Sequence, residues 1–174
     1  MQQVTITMND LDLDIVTRNT IMLILLLAVE DTEAAVDCVL HIWYSAQISE
    51  EHLALLSTTV HPLIRDICTK IALRPDGKLQ GKTWSFSNRR LRLVLTKQAW
   101  NAILSYLDPP TGLTSQQANN IRLAITMAPE RKDYMERYLF AHPPTQRLGA
   151  LRFRQDGILL PFGHSRSAHS IPNP

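Results

Sequence analysis

Asn9, Asp10, Asp12 and Asp14 place a run of oxygen acceptors just ahead of, and inside, the first turn of a coming helix. The β-branched stretch Val4 to Met8 precedes them and reads as a short strand. At the carboxyl end of a strand in an open α/β sheet, an acid commonly accepts from the ribose hydroxyls of a nucleoside cofactor. The same side chains are also good helix caps, since a carboxylate accepts the free N–H groups of a first turn and favours its positive end. The residues alone leave both readings open.

Other motifs are less complete. Gly77 to Thr83 (GKLQGKT) approaches a phosphate-binding loop, but its first glycine is one place too close and Asp76 holds the required position. It also follows a helix and opens a strand, so no helix N-terminus meets a phosphate. Gly163-His164-Ser165-Arg166-Ser167 lacks the final glycine of a nucleophile elbow, and no acid and histidine follow in the usual order. Cys38 and His41 share a helical face, but zinc takes three or four protein ligands and no second local pair is present. His164 and His169 lie in the tail and reach such a site only by folding back. A buried cysteine beside a satisfied histidine is therefore expected, with no metal and no catalytic set. Arg89, Arg90, Arg92, Arg147, Arg152, Arg154 and Arg166 make a basic surface if they share a face, yet no named nucleic-acid motif accompanies them.

The elements that position these residues follow from periodicity. A buried helix runs from about Leu13 to Val29; its longest apolar run, Ile21 to Val29, is far short of the roughly 20 residues of a membrane span. Thr32 is expected to cap a second helix with Val36, Val39, Leu40 and Trp43 inward, and Ser49 a third that kinks or breaks at Pro62. Thr83 to Phe86 and Leu91 to Leu95 read as paired strands, and Thr96 caps a helix with Trp100, Ile103, Leu104 and Leu107 inward. Helices follow from Thr114 or Ser115, from Pro129 and near Gln146 to Phe153. Asp156-Gly157 is then a turn into a strand at Ile158 to Phe162, and the tail from 163 is irregular. This alternation predicts one helix-rich α/β domain over 1–174 with a parallel or mixed sheet between helices.

Composition agrees with a globular chain. It has 174 residues, 45% hydrophobic and 20% charged, a size at which roughly two-thirds of the unfolded surface is buried without disulfides or metals. Two cysteines, no signal peptide and no Asn-x-Ser/Thr acceptor point to a reducing compartment, cytoplasmic or nuclear. Charge is uneven. Residues 1–73 carry 3 basic and 10 acidic side chains, and residues 74–174 carry 15 and 6. The second half therefore suits an acidic partner, unless the halves balance each other.

The segments NDLDLDIVTRNTIMLILLLAVE, HIWYSAQI, LQGKTWSF, LRLVLTKQAWNAILSYLD, MAPERKDYMERYLF and RFRQDGILLPFGHSRSAHSIPNP together resemble a domain of unknown function of fungal proteins that often carry a MYND-type zinc finger. A related domain forms the N-terminal part of dynein axonemal assembly factor 3. The matching residues are Asn9, Asp10, Asp12, Arg18 and Asn19, with Gly157, Pro161, Gly163, Arg166 and Asn173 in the distinctive tail. The resemblance implies a Rossmann-type, methyltransferase-like sheet with helices on both faces, here lacking its first βα unit and the zinc finger. It implies Asn9, Asp10 and Asp12 as the ribose side of an S-adenosylmethionine site whose glycine turn is missing. It also implies a non-catalytic domain that works through a protein partner, with a methyltransferase or a nucleic-acid binder as alternatives and no membrane.

Overall fold

Asp12 starts the first helix: its carboxylate accepts the Asp14 N–H at 2.9 Å, and α1 runs Leu13–Ala28. The computed structural model describes residues 5–174. The apolar run of α1 is core, with Ile24 and Leu25 fully buried. α2 (Thr32–Tyr44) is capped by Asp31 rather than Thr32, because the Asp31 carboxylate accepts both the Glu33 and Ala34 N–H groups. Its buried face also differs from the expected one. Ala35, Cys38, Val39 and Ile42 pack inward, while Val36, Leu40 and Trp43 are exposed.

Short strand β1 (Gln47–Ser49) leads directly into α3 (Glu50–Leu55) through a capping box between Ser49 and His52. The disturbance expected at Pro62 takes the form of a π-turn, Leu56–Val60, that joins α3 to α4 (His61–Ile71) without a break in the helical path. Proline has no N–H for the preceding turn, and a widened turn accommodates that loss. Leu56 and Val60 in the π-turn and Ile64 and Ile67 in α4 carry the core stripe across the junction.

The hairpin is longer than its sequence signal. β2 (Leu79–Phe86) and β3 (Arg89–Thr96) pair antiparallel from Leu79↔Thr96 to Phe86↔Arg89 across Ser87-Asn88. Thr96 then caps α5 (Lys97–Ser105). Trp100 is fully buried, donates its indole N–H to the Gln80 carbonyl at 3.0 Å and meets Trp84 edge-on at 5.9 Å. α6 (Ser115–Thr126) starts with a Thr114–Gln117 capping box. A 3-10 turn at Pro129–Arg131 opens α7 (Lys132–Ala141), and α8 (Pro144–Asp156) ends on Gly157 at φ +74°. Both α6 and α7 lie against α8.

The sheet is where expectation and structure part. Among the described residues there are two separate two-stranded antiparallel ladders, β2–β3 and β1 with β4 (His169–Pro172), and no parallel pair. A two-residue link forces β2 and β3 to be antiparallel, and β1 is three residues long with a helix on each side, so no βαβ crossover is built from them. The strand expected at Val4 to Met8 is not formed over Thr5 to Met8; Val4 lies outside the described residues. No described strand runs beside that stretch to pair with it. Ile158 to Phe162 is also irregular, and the strand of that region lies later, inside the tail expected to be irregular.

Candidate functional site

The tail segment after α8 is held at every turn by its own polar residues. Gly157 takes the left-handed conformation that ends α8, and its carbonyl accepts the Ala46 N–H at 2.8 Å. Pro161 and Gly163 form a turn closed by the His164 N–H on the Pro161 carbonyl; Gly163, at φ +88°, supplies the positive φ of its third position. Arg166 pairs with Asp156 and donates to the Leu160 and His164 carbonyls at 3.3 and 3.1 Å. Asn173 then closes the segment. Its Nδ2 donates to the carbonyls of His41, Ile42 and Ser45 at 3.3, 2.9 and 2.7 Å, covering the free carbonyl end of α2.

This docking assembles a cluster that the sequence does not announce. The β1–β4 register sets His169 opposite Ser49. Ser49 caps α3 and holds His52 by the reciprocal bond, in which its N–H donates to His52 Nδ1 at 3.3 Å. His41 lies one turn before the end of α2. The three rings stand 4.5, 4.8 and 5.7 Å apart by centroid, and a nitrogen from each lies within 4.8 Å of the others. His41 and His52 are 2% and 4% exposed. His52 Nε2 meets Asp37 Oδ2 at 2.8 Å, and His41 Nε2 stands 3.8 Å from Asp37 Oδ1. His41 Nδ1 shares a 2.8 Å hydrogen bond with Ser45 Oγ, which also accepts the Leu159 N–H at 3.0 Å. Both ring nitrogens of His169 are buried and have no partner among the described residues.

The electrostatics disfavour the protonated forms of His41 and His169. Burial, then the neighbouring imidazoles of His52 and His169, lower the His41 pKa to about 4 against the opposing pull of Asp37. Burial and the His52 ring lower His169 as well. Cys38 is not part of the donor set. Its Sγ points at the His52 carbonyl at 3.9 Å, and burial with the nearby Asp37 charge pushes the thiol up to about 12. The Cys38–His41 pair weighed from sequence thus gives way to a three-histidine set. Asp37 and His41, four residues apart, share one helical face. His169 was foreseen only as a residue that would have to fold back, and His52 not at all, because a register between segments 117 residues apart brings His169 to His52.

The residues expected to hold a nucleoside cofactor are elsewhere. Asn9, Asp10 and Asp12 are exposed and precede α1. Asp10 accepts the Asp12 N–H at 3.0 Å, Asp12 accepts the Asp14 N–H, and Asp14 accepts from the Tyr106 hydroxyl. The first two bonds are local and the third ties the start of α1 to the end of α5, and no described strand ends beside them. Arg18 is exposed and Asn19 half-buried on α1. Arg89, Arg90 and Arg92 lie on β3, which packs on α1, α5 and β2, whereas Arg147, Arg152 and Arg154 lie on α8 against α6 and α7. In GKLQGKT, Lys82 belongs to β2, and Gly163 to Ser167 opens no helix.

A second feature lies on α6 and α7, neither of which buries a residue. Ile121 and Ile125, one turn apart, are 57% and 54% exposed, and Tyr134 and Phe140 are 68% and 73% exposed. Guanidinium groups lie over three of the aromatics here: Arg137 over Tyr134, Arg154 over Tyr138 and Arg147 over Phe140. An open hollow of about 410 Å³, lined by Leu113, Gln117 and Asn120, adjoins Ile121. Another, of about 520 Å³ near His61 and Arg65, has polar walls, and its Asp66 is already paired to Lys70 and Lys82.

A family profile described as "Domain of unknown function (DUF4470)" matches residues 1–48, the span holding α1, α2, Asp37 and His41. No curated protein and no solved structure is significantly similar to the chain. No described helix is long and apolar enough to cross a membrane.

Proposed function

We propose that this chain is a non-catalytic domain that binds a protein partner through α6 and α7. The observation that carries the reading is the exposure of Ile121 and Ile125 on α6 and of Tyr134 and Phe140 on α7, two helices without a fully buried residue. Apolar residues at helical spacing ordinarily turn inward, and Ile121 and Ile125, one turn apart on α6, instead stay exposed, as a contact surface would have them. The partner is an acidic, amphipathic segment. Residues 109–156 carry seven basic against four acidic side chains, and arginines stacked on aromatics combine apolar area with a carboxylate fork. The hollow beside Ile121 accepts one apolar anchor of that segment.

The cofactor-dependent alternative draws its support from the resemblance at Asn9, Asp10 and Asp12, and the carboxylates of the two aspartates are engaged in local bonds to backbone N–H groups. The nucleic-acid alternative draws on the arginines of α8. Neither has a convergent set of groups to favour it.

The test is direct binding by a purified partner. A protein captured on the immobilised chain is isolated and titrated against wild type and against Ile121→Asp/Ile125→Asp. Each buried isoleucine contributes roughly 1.5–3 kcal/mol, so the double substitution is expected to weaken binding at least about 100-fold while the melting temperature is kept. Equal binding by the variant overturns the reading. So does retention of polynucleotide alone with steep salt dependence, which moves the assignment to nucleic acid.

A further inference from the structure

Three imidazoles that meet in a protein interior need a reason. A neutral imidazole has one donor and one acceptor, and buried polar groups are almost always paired. His41 and His52 each have partners, in Ser45 and in Ser49 and Asp37. His169 has none at either nitrogen among the described residues, although it faces the other two rings. Three rings from three elements therefore converge on a point where one of them has nothing to bind.

We infer that His41, His52 and His169, with Asp37 beside them, form a binding site for a divalent transition-metal ion, Zn²⁺ being the ion the donors suit, and that the ion fastens the C-terminal strand to α2 and α3. Imidazole nitrogens with one carboxylate are a common zinc set, and four ligands close a structural site. Asp37 stands in the right place for the fourth: its two oxygens already face His52 Nε2 at 2.8 Å and His41 Nε2 at 3.8 Å. A cation that replaces the proton between His52 and Asp37 lies against both. Ser45 supplies the outer support. With His41 ligating through Nε2, Ser45 Oγ would accept the Nδ1 proton across their 2.8 Å contact, and it is itself fixed by the Leu159 N–H.

The geometry needs a small closure. A tetrahedral site asks for nitrogens about 3.4 Å apart, and the three here lie within 4.8 Å of one another. Rotation about χ2, a soft torsion in histidine, covers that difference. Ligation through His52 Nε2 places the ring proton on Nδ1 and gives up its long contact with the Ser49 N–H, 3.3 Å in this state. One capping bond is weak against a metal–imidazole bond. Cys38, directed at a carbonyl and held as a thiol, leaves the site without sulfur.

The experiment uses the full chain stripped with EDTA and then given Zn²⁺ or Co²⁺ alone. One equivalent of zinc is expected to remain after gel filtration and to raise the melting temperature. Hydrogen exchange of residues 158–174 should slow on zinc addition. The cobalt form should show visible d–d bands with no thiolate charge-transfer band. His169→Gln should lose the retained ion, the spectrum and the slowed exchange together. Asp37→Asn, an exposed position whose change leaves the core intact, should weaken zinc at least about tenfold, and it decides the matter if His169→Gln fails to fold. A cooperative melt without stoichiometric metal overturns the inference. So does binding that survives Asp37→Asn and the His52→Gln/His169→Gln pair unchanged, or a cobalt spectrum dominated by thiolate.

Discussion

Replacing Asn173 by alanine tests the docking of the tail at one side chain. The amide has two N–H protons and faces three carbonyls of the last turn of α2, at 2.7, 2.9 and 3.3 Å. Alanine removes both protons and keeps the backbone bond from the Asn173 N–H to the Ala46 carbonyl. At about 1 kcal/mol net for each bond, with a further contribution from carbonyls left half-buried, the expected loss is roughly 2–3 kcal/mol. For a chain of this length that lowers the melting temperature by roughly 4–12 °C. Asn173→Asp should be worse than alanine at pH 7, because a carboxylate then faces carbonyl oxygens at the negative end of the α2 dipole. Urea denaturation followed by circular dichroism gives the free energy, and hydrogen exchange of residues 158–174 locates it. A loss below about 0.5 kcal/mol, or an aspartate variant as stable as wild type, would refute the reasoning, since two charge-neutral caps cannot be lost for nothing.

Two further outcomes follow from the same region. In EDTA, His41 binds a proton at about pH 4 in the folded chain and near 6.5 in the unfolded one. The unfolded state therefore takes up more protons in that window, so the contribution of His41 is complete above pH 6.5 and lost as pH falls toward 4. The loss is at most about 3 kcal/mol, and stability–pH profiles of wild type and His41→Gln should converge in that interval. Gly157→Ala should destabilise by roughly 2–4 kcal/mol, through the positive φ and through a methyl driven into the Arg122 guanidinium, which caps α8 by donating to the Phe153 and Arg154 carbonyls at 2.7 and 2.8 Å. In an Arg122→Ala background the same change should cost distinctly less, and strictly additive losses would count against the clash.

Local signals carried much of the secondary structure. Ser49, Thr96 and Thr114 cap helices because a side-chain oxygen finds an N–H two or three residues on, wherever the helix later packs. Pro62 and Gly157 act through their own backbone in the same way. The acids at Asp10 and Asp12 were equally legible as caps. Reading them also as the end of a strand failed, because a strand exists only with a neighbour and Thr5 to Met8 have none among the described residues. The inward face of α2 was misplaced for a related reason: periodicity admitted the larger Val36, Leu40 and Trp43, and only packing against the other elements selected Ala35, Cys38, Val39 and Ile42.

By itself, then, the sequence determined most of the helix boundaries and the hairpin at Ser87-Asn88, set by interactions within a few residues. Only the tertiary structure decided how strands pair and which distant side chains meet. His169 sits opposite Ser49 through a ladder of backbone bonds whose energy hardly depends on the side chains it brings together. Three histidines 11 and 117 residues apart become neighbours through that register, held by Arg166 on Asp156 and by Asn173 on the end of α2.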